Sequence, residues 1–338
     1  MKGLIRSASL TNFADVARSV GLDPSRLLRE FGLPQECLRD PELKVPLDTV
    51  RQLLEVSAER AGADAFGLMM GESRWLSNLG PVGLLVREQP TVRLAIDALA
   101  RYSRQLNEAL FLTLEESGNV VVLREELIVG HEGPVRQSTE LAIGVVFRLL
   151  STLLGPGWRP LRVCFAHDPP ADRSVHERVF GRNVEFGHAF NGIVFSRSDL
   201  ESPNPAADPE MARYARKLLE TGAGADASDM SAEVRELIVT LLGTGRCTIA
   251  LVAQHLGVDR RTVHRQLASE GESYSALIDA VRRELVDRYL RDRKRPLAEI
   301  SSLLGFSAPS GFSRWYQRQF HAKASETRAR SASRAPRG

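Results

Sequence analysis

Three side chains able to donate hydrogen bonds to nucleic-acid bases fall close together near the C-terminus. Arg261, His264 and Arg265 occupy positions i, i+3 and i+4, which share one face of a helix, and Arg260 precedes them. Arginine can pair with guanine through two hydrogen bonds in the major groove, which the N-terminal half of a recognition helix enters. The spacing therefore predicts a surface that reads the bases of double-stranded DNA.

A helix-turn-helix pattern surrounds these residues. The first helix carries an apolar stripe with helical spacing, formed by Ile249, Val252, Ala253 and Leu256. We expect this helix to stop at Gly257, and Asp259 to cap the N-terminus of the second helix. Val263 and Leu267 would then point to the core, while the basic residues lie on a different face.

The same arrangement recurs further along the chain. A first helix ends at Gly305 after three apolar residues: Ile300, Leu303 and Leu304. Phe306 fills the turn, Ser307 is placed to cap the next helix, and Pro309 lies in its first turn, where the missing N–H costs nothing. The aromatic residues that can face inward are Phe312, Tyr316 and Phe320. The outward candidates for base contact are Ser310, Ser313 and Arg314.

A continuous helical pattern from Tyr274 to Asp292 joins the two units. Its length is about 28 Å at 1.5 Å per residue. Such a helix can hold two reading helices roughly one turn of DNA apart on one face of the duplex. We therefore predict an all-α C-terminal domain with two helix-turn-helix units joined by a long linker helix.

Three stretches carry a resemblance to a known family. Gly305–Phe320 closely resembles the hallmark segment of the AraC/XylS family of bacterial transcription regulators. Arg261–Leu267 is similar to that family's first recognition helix, and Val281–Leu285 to its linker helix. The resemblance implies sequence-specific binding to double-stranded promoter DNA, contact with RNA polymerase and a role as an activator. It does not imply an enzyme.

Three positions depart from the family pattern. His321 stands where glycine is usual, Ala324 where proline is usual, and Thr327 where an aromatic residue is usual. All three fall beyond the second recognition helix. They concern the end of the domain and not the helices that read DNA.

Residues ahead of this domain predict an α+β N-terminal domain, with helices and a small sheet. The predicted helices are Phe13–Val20, Pro24–Phe31, Asp48–Ala61, Val92–Leu106, Arg136–Leu154 and Arg173–Phe180. The predicted strands are Leu110–Glu115, Asn119–Glu125, Leu161–Ala166, Val184–Phe186 and Ile193–Phe195.

This layout is similar to the ligand-binding domain of the AraC regulators that control ornithine use and mycobacterial virulence genes. Gly155–Pro160 and Phe186–Phe195 look like its recurring segments. The resemblance implies a small-molecule effector of unknown identity and a homodimer, and it assigns the ligand to no individual residue. An alternative is a dimerisation domain without a ligand. A further alternative, from another class, is an enzyme with an accessory DNA-binding domain.

Prolines and small residues mark the domain boundaries. Glu201–Pro209 holds three prolines, a short helix is predicted over Glu210–Glu220, and Thr221–Ser228 is small and polar, as linkers are. We predict an effector-binding domain over 1–205, a linker over 206–230, the DNA-binding domain over 231–330 and a disordered tail over 331–338. Although the net charge is only +3, the basic excess lies after residue 231 and the rest is mildly acidic, as expected for a polyanion-binding domain.

Composition narrows the remaining classes. With 43% hydrophobic and 26% charged residues the chain can bury a core, and it shows neither a membrane-spanning stretch nor a secretion signal, which predicts a cytoplasmic protein. Cys37, Cys164 and Cys247 form neither a disulfide framework nor a CxxC site.

A search for catalytic and metal sites points to neither. The histidines of the N-terminal region lack metal-ligand spacing: His131, His167, His176 and His188. Four glutamates are best explained as strand and turn surface: Glu115, Glu116, Glu125 and Glu126. We expect no catalytic residue, cofactor or metal.

Overall fold

A computed structural model describes residues 3–127, 133–222, 230–242, 247–256, 258–291 and 295–333. The chain divides into two compact units, Met1–Ala225 and Asp226–Gly338.

The N-terminal unit is α+β, as predicted. Its α-helices are α1 (Phe13–Ser19), α2 (Pro24–Glu30), α3 (Leu47–Ala61), α4 (Phe66–Glu72), α5 (Pro81–Arg87), α6 (Val92–Leu106), α7 (Arg136–Leu154), α8 (Ser174–Phe180), α9 (Arg197–Leu200) and α10 (Pro209–Gly222). Its strands are β1 (Leu4–Arg6), β2 (Lys44–Pro46), β3 (Leu110–Ser117), β4 (Val120–Leu127), β5 (Arg162–Cys164), β6 (Val184–Glu185) and β7 (Asn191–Ser196).

The main sheet has five strands in the order β3-β4-β7-β5-β6. Strands β3 and β4 form the expected antiparallel hairpin, in which Leu112 lies opposite Glu125. Strand β5 runs antiparallel to β7 and parallel to β6. The remaining two strands, β1 and β2, make a separate antiparallel pair.

Helix α7 runs through the core of this unit. By length and composition this helix could cross a bilayer. More than half of its apolar stretch is, however, buried within the protein. It packs so closely on α4 that a Cβ at Gly67 would lie only 2.0 Å from the carbonyl oxygen of Gln137. The close approach of the two helices leaves no room for a side chain at position 67, which explains why this residue is glycine.

Several expectations need correction in this unit. The predicted linker over 206–230 includes α10, whose Ala215 and Leu219 are buried in the N-terminal core. Helices α4 and α5 were not predicted, because their short apolar segments lack an amphipathic period. Strands β1 and β2 were missed because three-residue strands carry too little pattern. Residues 223–229 lie outside the described part of the chain.

The described residues of the C-terminal unit are all helical or connecting, as predicted. The helices are α11 (Met230–Leu241), α12 (Ile249–His255), α13 (Arg260–Ser269), α14 (Tyr274–Arg291), α15 (Leu297–Leu303), α16 (Pro309–Phe320) and α17 (Ala324–Ser333). Helix α17 continues through residues 331–333, which we had assigned to a disordered tail. Residues 334–338 and the predicted helix-ending residues Gly257 and Asp292 lie outside the described residues.

Candidate nucleic-acid interface

The first helix-turn-helix unit consists of α12 and α13. Thr248 caps α12 by accepting a hydrogen bond from the Leu251 N–H at 3.2 Å. Asp259 caps α13, as predicted, by accepting from the Thr262 N–H at 2.7 Å. The hydrogen bonds that the exposed carboxylate of Asp259 accepts from Thr262 lower the pKa of this carboxyl. Asp259 therefore defines where the recognition helix begins.

The core side of α13 is apolar and its opposite side is basic. Val263 and Leu267 are fully buried, as predicted. The four side chains proposed to contact bases from this helix are all exposed: Arg260, Arg261, His264 and Arg265. Among the residues that the structure describes, none of the three arginines forms an ion pair. Their guanidinium groups are therefore available to an anionic or base-edge partner.

The second unit consists of α15 and α16, joined by a tight turn. Gly305 has a φ of 69°, and a Cβ there would lie 2.8 Å from the carbonyl oxygen of Leu242. Glycine is required at this position by both the left-handed backbone and the close approach. Pro309 lies at the start of α16 as predicted, but the N-cap is Ala308, without a side-chain hydrogen bond. The expectation for Ser307 was wrong by one position.

An aromatic cluster packs along the buried side of α16. Phe312, Trp315 and Tyr316 are buried, and the Tyr316 and Phe320 rings lie 4.6 Å apart. Phe306 packs on Trp315 with ring centroids 5.6 Å apart. These contacts hold α16 at a defined rotation about its axis.

The three proposed base-contacting side chains of α16 are exposed: Ser310, Ser313 and Arg314. The Ser313 hydroxyl donates to the Pro309 carbonyl at 3.0 Å, so its oxygen remains free to accept from a base. Arg314 donates from Nε to the Ser310 carbonyl at 3.4 Å. The remaining nitrogens of Arg314 can donate elsewhere.

Comparison with known proteins decides the family. Residues 21–204 match the arabinose-binding domain of AraC transcription regulators, and residues 252–330 match a helix-turn-helix domain. The chain belongs to the AraC family.

Two curated relatives support the assignment of this chain to the AraC family. The HTH-type transcriptional regulator VirS of Mycobacterium tuberculosis is 31% identical over 320 residues, which cover 94% of each chain. The Ornithine utilization regulator of Pseudomonas aeruginosa is 26% identical over 312 residues, which cover 90% of each chain. The resemblance inferred from the sequence is confirmed. This chain is a DNA-binding transcription regulator whose N-terminal region is of the arabinose-binding-domain type. It is not an enzyme.

The N-terminal unit of the AraC-family protein contains a polar cluster that the sequence did not reveal. His167 Nε2 and His176 Nε2 lie 3.2 and 3.1 Å from Oε1 of the fully buried Glu140. Arg136 Nε donates to the same oxygen at 3.0 Å. Burial opposes ionisation of this carboxyl, but the imidazoles and the guanidinium outweigh burial and lower its pKa to about 2. His167 and His176 lie 27 and 36 residues after Glu140, so only folding brings them to this carboxylate.

Glu125 also departs from the sequence-based interpretation. It lies on β4 and is only 1% exposed, on the same side of the strand as the buried Val121 and Leu123. Burial, with a smaller contribution from Glu126, raises the pKa of Glu125 well above its usual range. The apolar residues at alternate positions before it are the signal that could have predicted its burial.

One group of side chains has the spacing of metal ligands. The candidate ligand atoms of Cys164, Glu185 and His188 lie within 4.8 Å of one another. Burial raises the pKa of the Cys164 thiol to about 11, which disfavours the thiolate that binds metals. The expectation that no metal is required therefore stays a prediction for this AraC-family chain.

Proposed function

We propose that both recognition helices contact base edges in successive major-groove segments of promoter DNA. The first helix would use Arg260, Arg261, His264 and Arg265, and the second would use Ser310, Ser313 and Arg314. The observation that carries this proposal is the exposed row on α13, backed by the buried Val263 and Leu267. Helix α14, with 18 residues, is about 27 Å long, close to the separation that two reading helices need.

We further propose that the protein acts in the cytoplasm as an activator that contacts RNA polymerase. The N-terminal unit would bind a small-molecule effector and associate as a homodimer. An effector must bind one state of the regulator more tightly than another to change its activity. The match to the arabinose-binding domain of AraC regulators supports a sensing role over a dimerisation domain without a ligand.

Selection of bound duplexes from a random library by the full-length protein tests the DNA-binding proposal. Repeating the selection at two salt concentrations separates base reading from phosphate attraction, because phosphate contacts weaken steeply with salt. We expect two conserved blocks about one helical turn apart. Weak, unselective and steeply salt-dependent binding would contradict the proposal.

Arg265→Ala gives the residue-level test on the selected site. Loss of a two-bond contact to a base should cost roughly 1–3 kcal/mol and relax selectivity at one position. Arg213→Ala is the matched control, because Arg213 is an exposed arginine of α10 paired with Glu210. Full affinity and selectivity in Arg265→Ala would remove this residue from the proposed contacts.

A further inference from the structure

The N-terminal unit contains a mainly apolar, partly open cavity of about 110 Å³. It lies between β1, α3, α6, α7 and the β3–β4 hairpin, and its apolar walls include Leu79, Leu99, Leu112, Val145 and Val146. A protein cavity of roughly 150 Å³ can hold a benzene ring, whereas one water needs only about 10–15 Å³. The cavity is therefore large enough for a small apolar group.

Among the described residues that line this cavity, the charged ones are all positive. They are Arg6, Arg51 and Arg74. Arg6 is paired with Glu42. Arg51 lies 3.5 Å from an Asp48 carboxylate oxygen through its Nε. The charge of these two arginines is thus already balanced within the protein.

Arg74 differs from the other two arginines. It is only 5% exposed, and its terminal nitrogens donate to the backbone carbonyls of Ala8 and Ser9. In the described part of the chain, no carboxylate lies within ion-pair distance of this guanidinium. A buried charge without a counter-charge is costly, so the site favours an anion.

Two residues that line the cavity each have a buried polar side-chain atom without a hydrogen-bond partner among the described residues. These atoms are Nε of Arg74 and Oγ of Ser9. Each can donate one hydrogen bond, which matches the two oxygens of a carboxylate. Burial lowers the pKa of Arg74 to about 10, so the guanidinium still carries its charge at neutral pH.

We propose that this cavity binds an organic monocarboxylate with an apolar body. The carboxylate would accept hydrogen bonds from Arg74 Nε and Ser9 Oγ, and a short alkyl chain would fill the space between Leu79, Leu99 and Val146. This inference rests on the proposed effector-sensing role and names the chemical class of the effector. A carboxylate matches the two buried donors without partners, one for each of its oxygens.

The test uses the purified full-length protein and two matched pairs of probes. Butanoate is compared with 1-butanol, and pentanoate with 1-pentanol, by calorimetry and by the shift in melting temperature. Each pair shares an apolar body and differs in the anionic group. We expect at least one carboxylate to bind and stabilise the protein, and to bind roughly tenfold or more tightly than its alcohol, because charge-assisted hydrogen bonds are stronger.

Three variants locate the bound probe. Arg74→Lys keeps the charge but removes Nε, Ser9→Ala removes the free hydroxyl, and Ala142→Phe fills the cavity from its wall. Each should weaken carboxylate binding roughly tenfold or more. Arg178→Lys is the control, since Arg178 is an exposed arginine paired with Glu72. If Arg74→Lys does not fold, Ser9→Ala and Ala142→Phe still decide the outcome.

Three results would overturn the proposal. These are no binding of either carboxylate to the wild-type protein, equal binding of acids and alcohols, or wild-type affinity in both Ser9→Ala and Ala142→Phe. DNA affinity on the selected duplex is measured separately with and without each probe. A carboxylate that binds in the cavity without changing DNA affinity would contradict the proposed effector-sensing role and leave the ligand class of the cavity standing, so the two failures are distinguished.

Discussion

The indole Nε1 of Trp315 donates a 2.8 Å hydrogen bond to Oδ1 of Asp279, which joins the second recognition helix to the connecting helix α14. One turn further along α14, Arg282 donates from Nε to the Leu304 carbonyl at 3.0 Å. The Arg282 guanidinium also lies 4.0 Å from the centre of the Phe306 ring. The second helix-turn-helix unit is therefore attached to α14 at two positions.

We predict that Asp279→Ala weakens this attachment. The buried indole N–H of Trp315 would lose its acceptor, which should cost about 1–3 kcal/mol of unfolding free energy. Urea denaturation measures this loss, and binding to the selected duplex should weaken mainly at the block read by α16. Asp279→Asn is the control, because its amide oxygen can still accept the bond. Equal stability of Asp279→Ala and wild type would show that the bond contributes nothing.

We predict opposite effects for two glycine substitutions in the second unit. Gly305→Ala should destabilise by more than about 1 kcal/mol, because a left-handed backbone disfavours a Cβ and the Leu242 carbonyl oxygen would lie 2.8 Å away. Gly311→Ala should be neutral or stabilising by up to about 1 kcal/mol, since it lies within α16 and its nearest neighbour is Phe306 Cδ1 at 3.5 Å. Thermal denaturation of both variants checks the contrast, and a stable Gly305→Ala would refute it.

We predict that His321→Gly stabilises the protein. His321 follows α16 with a φ of 52°, and its N–H donates to the Gln317 carbonyl at 2.9 Å. Glycine adopts this left-handed conformation without steric cost, so the gain should be up to about 1 kcal/mol. His321→Ala should show no gain, which separates backbone strain from loss of the imidazole. A lower melting temperature for His321→Gly would contradict this account.

We predict that Glu140 makes stability depend on acid pH. Its pKa is lowered from 4.5 in the unfolded chain to about 2 in the folded protein, because His167, His176 and Arg136 outweigh the effect of burial. The stability it contributes is fully present above about pH 4.5 and is lost as the pH falls toward about 2.

Urea midpoints measured across that pH range test the assignment. Glu140→Gln should flatten the fall in stability, whereas Glu177→Gln, at an exposed position on α8, should leave it unchanged. An unchanged slope in a folded Glu140→Gln protein would mean that other groups carry the acid dependence.

Local sequence determined much of this protein. The bounds of α6 and α7 agree with those predicted, because helical periodicity and capping are properties of neighbouring residues. The β3–β4 hairpin and both helix-turn-helix units also follow from local sequence, although β3 extends to Ser117 beyond the predicted Glu115 and the N-cap of α16 is Ala308 instead of Ser307. The exposure of the proposed DNA-contacting side chains could be predicted because they lie within one turn or two of each other on a helix.

Tertiary structure alone decided the features built from distant segments. Glu140 meets His167 and His176 only because α7 packs beside the loop after β5 and helix α8. The cavity depends on Ser9 and Arg74, which no local period connects. Burial of Glu125 and docking of α10 likewise depend on which faces pack together. Local propensity sets the elements, but long-range packing determines which polar groups leave water and which residues meet.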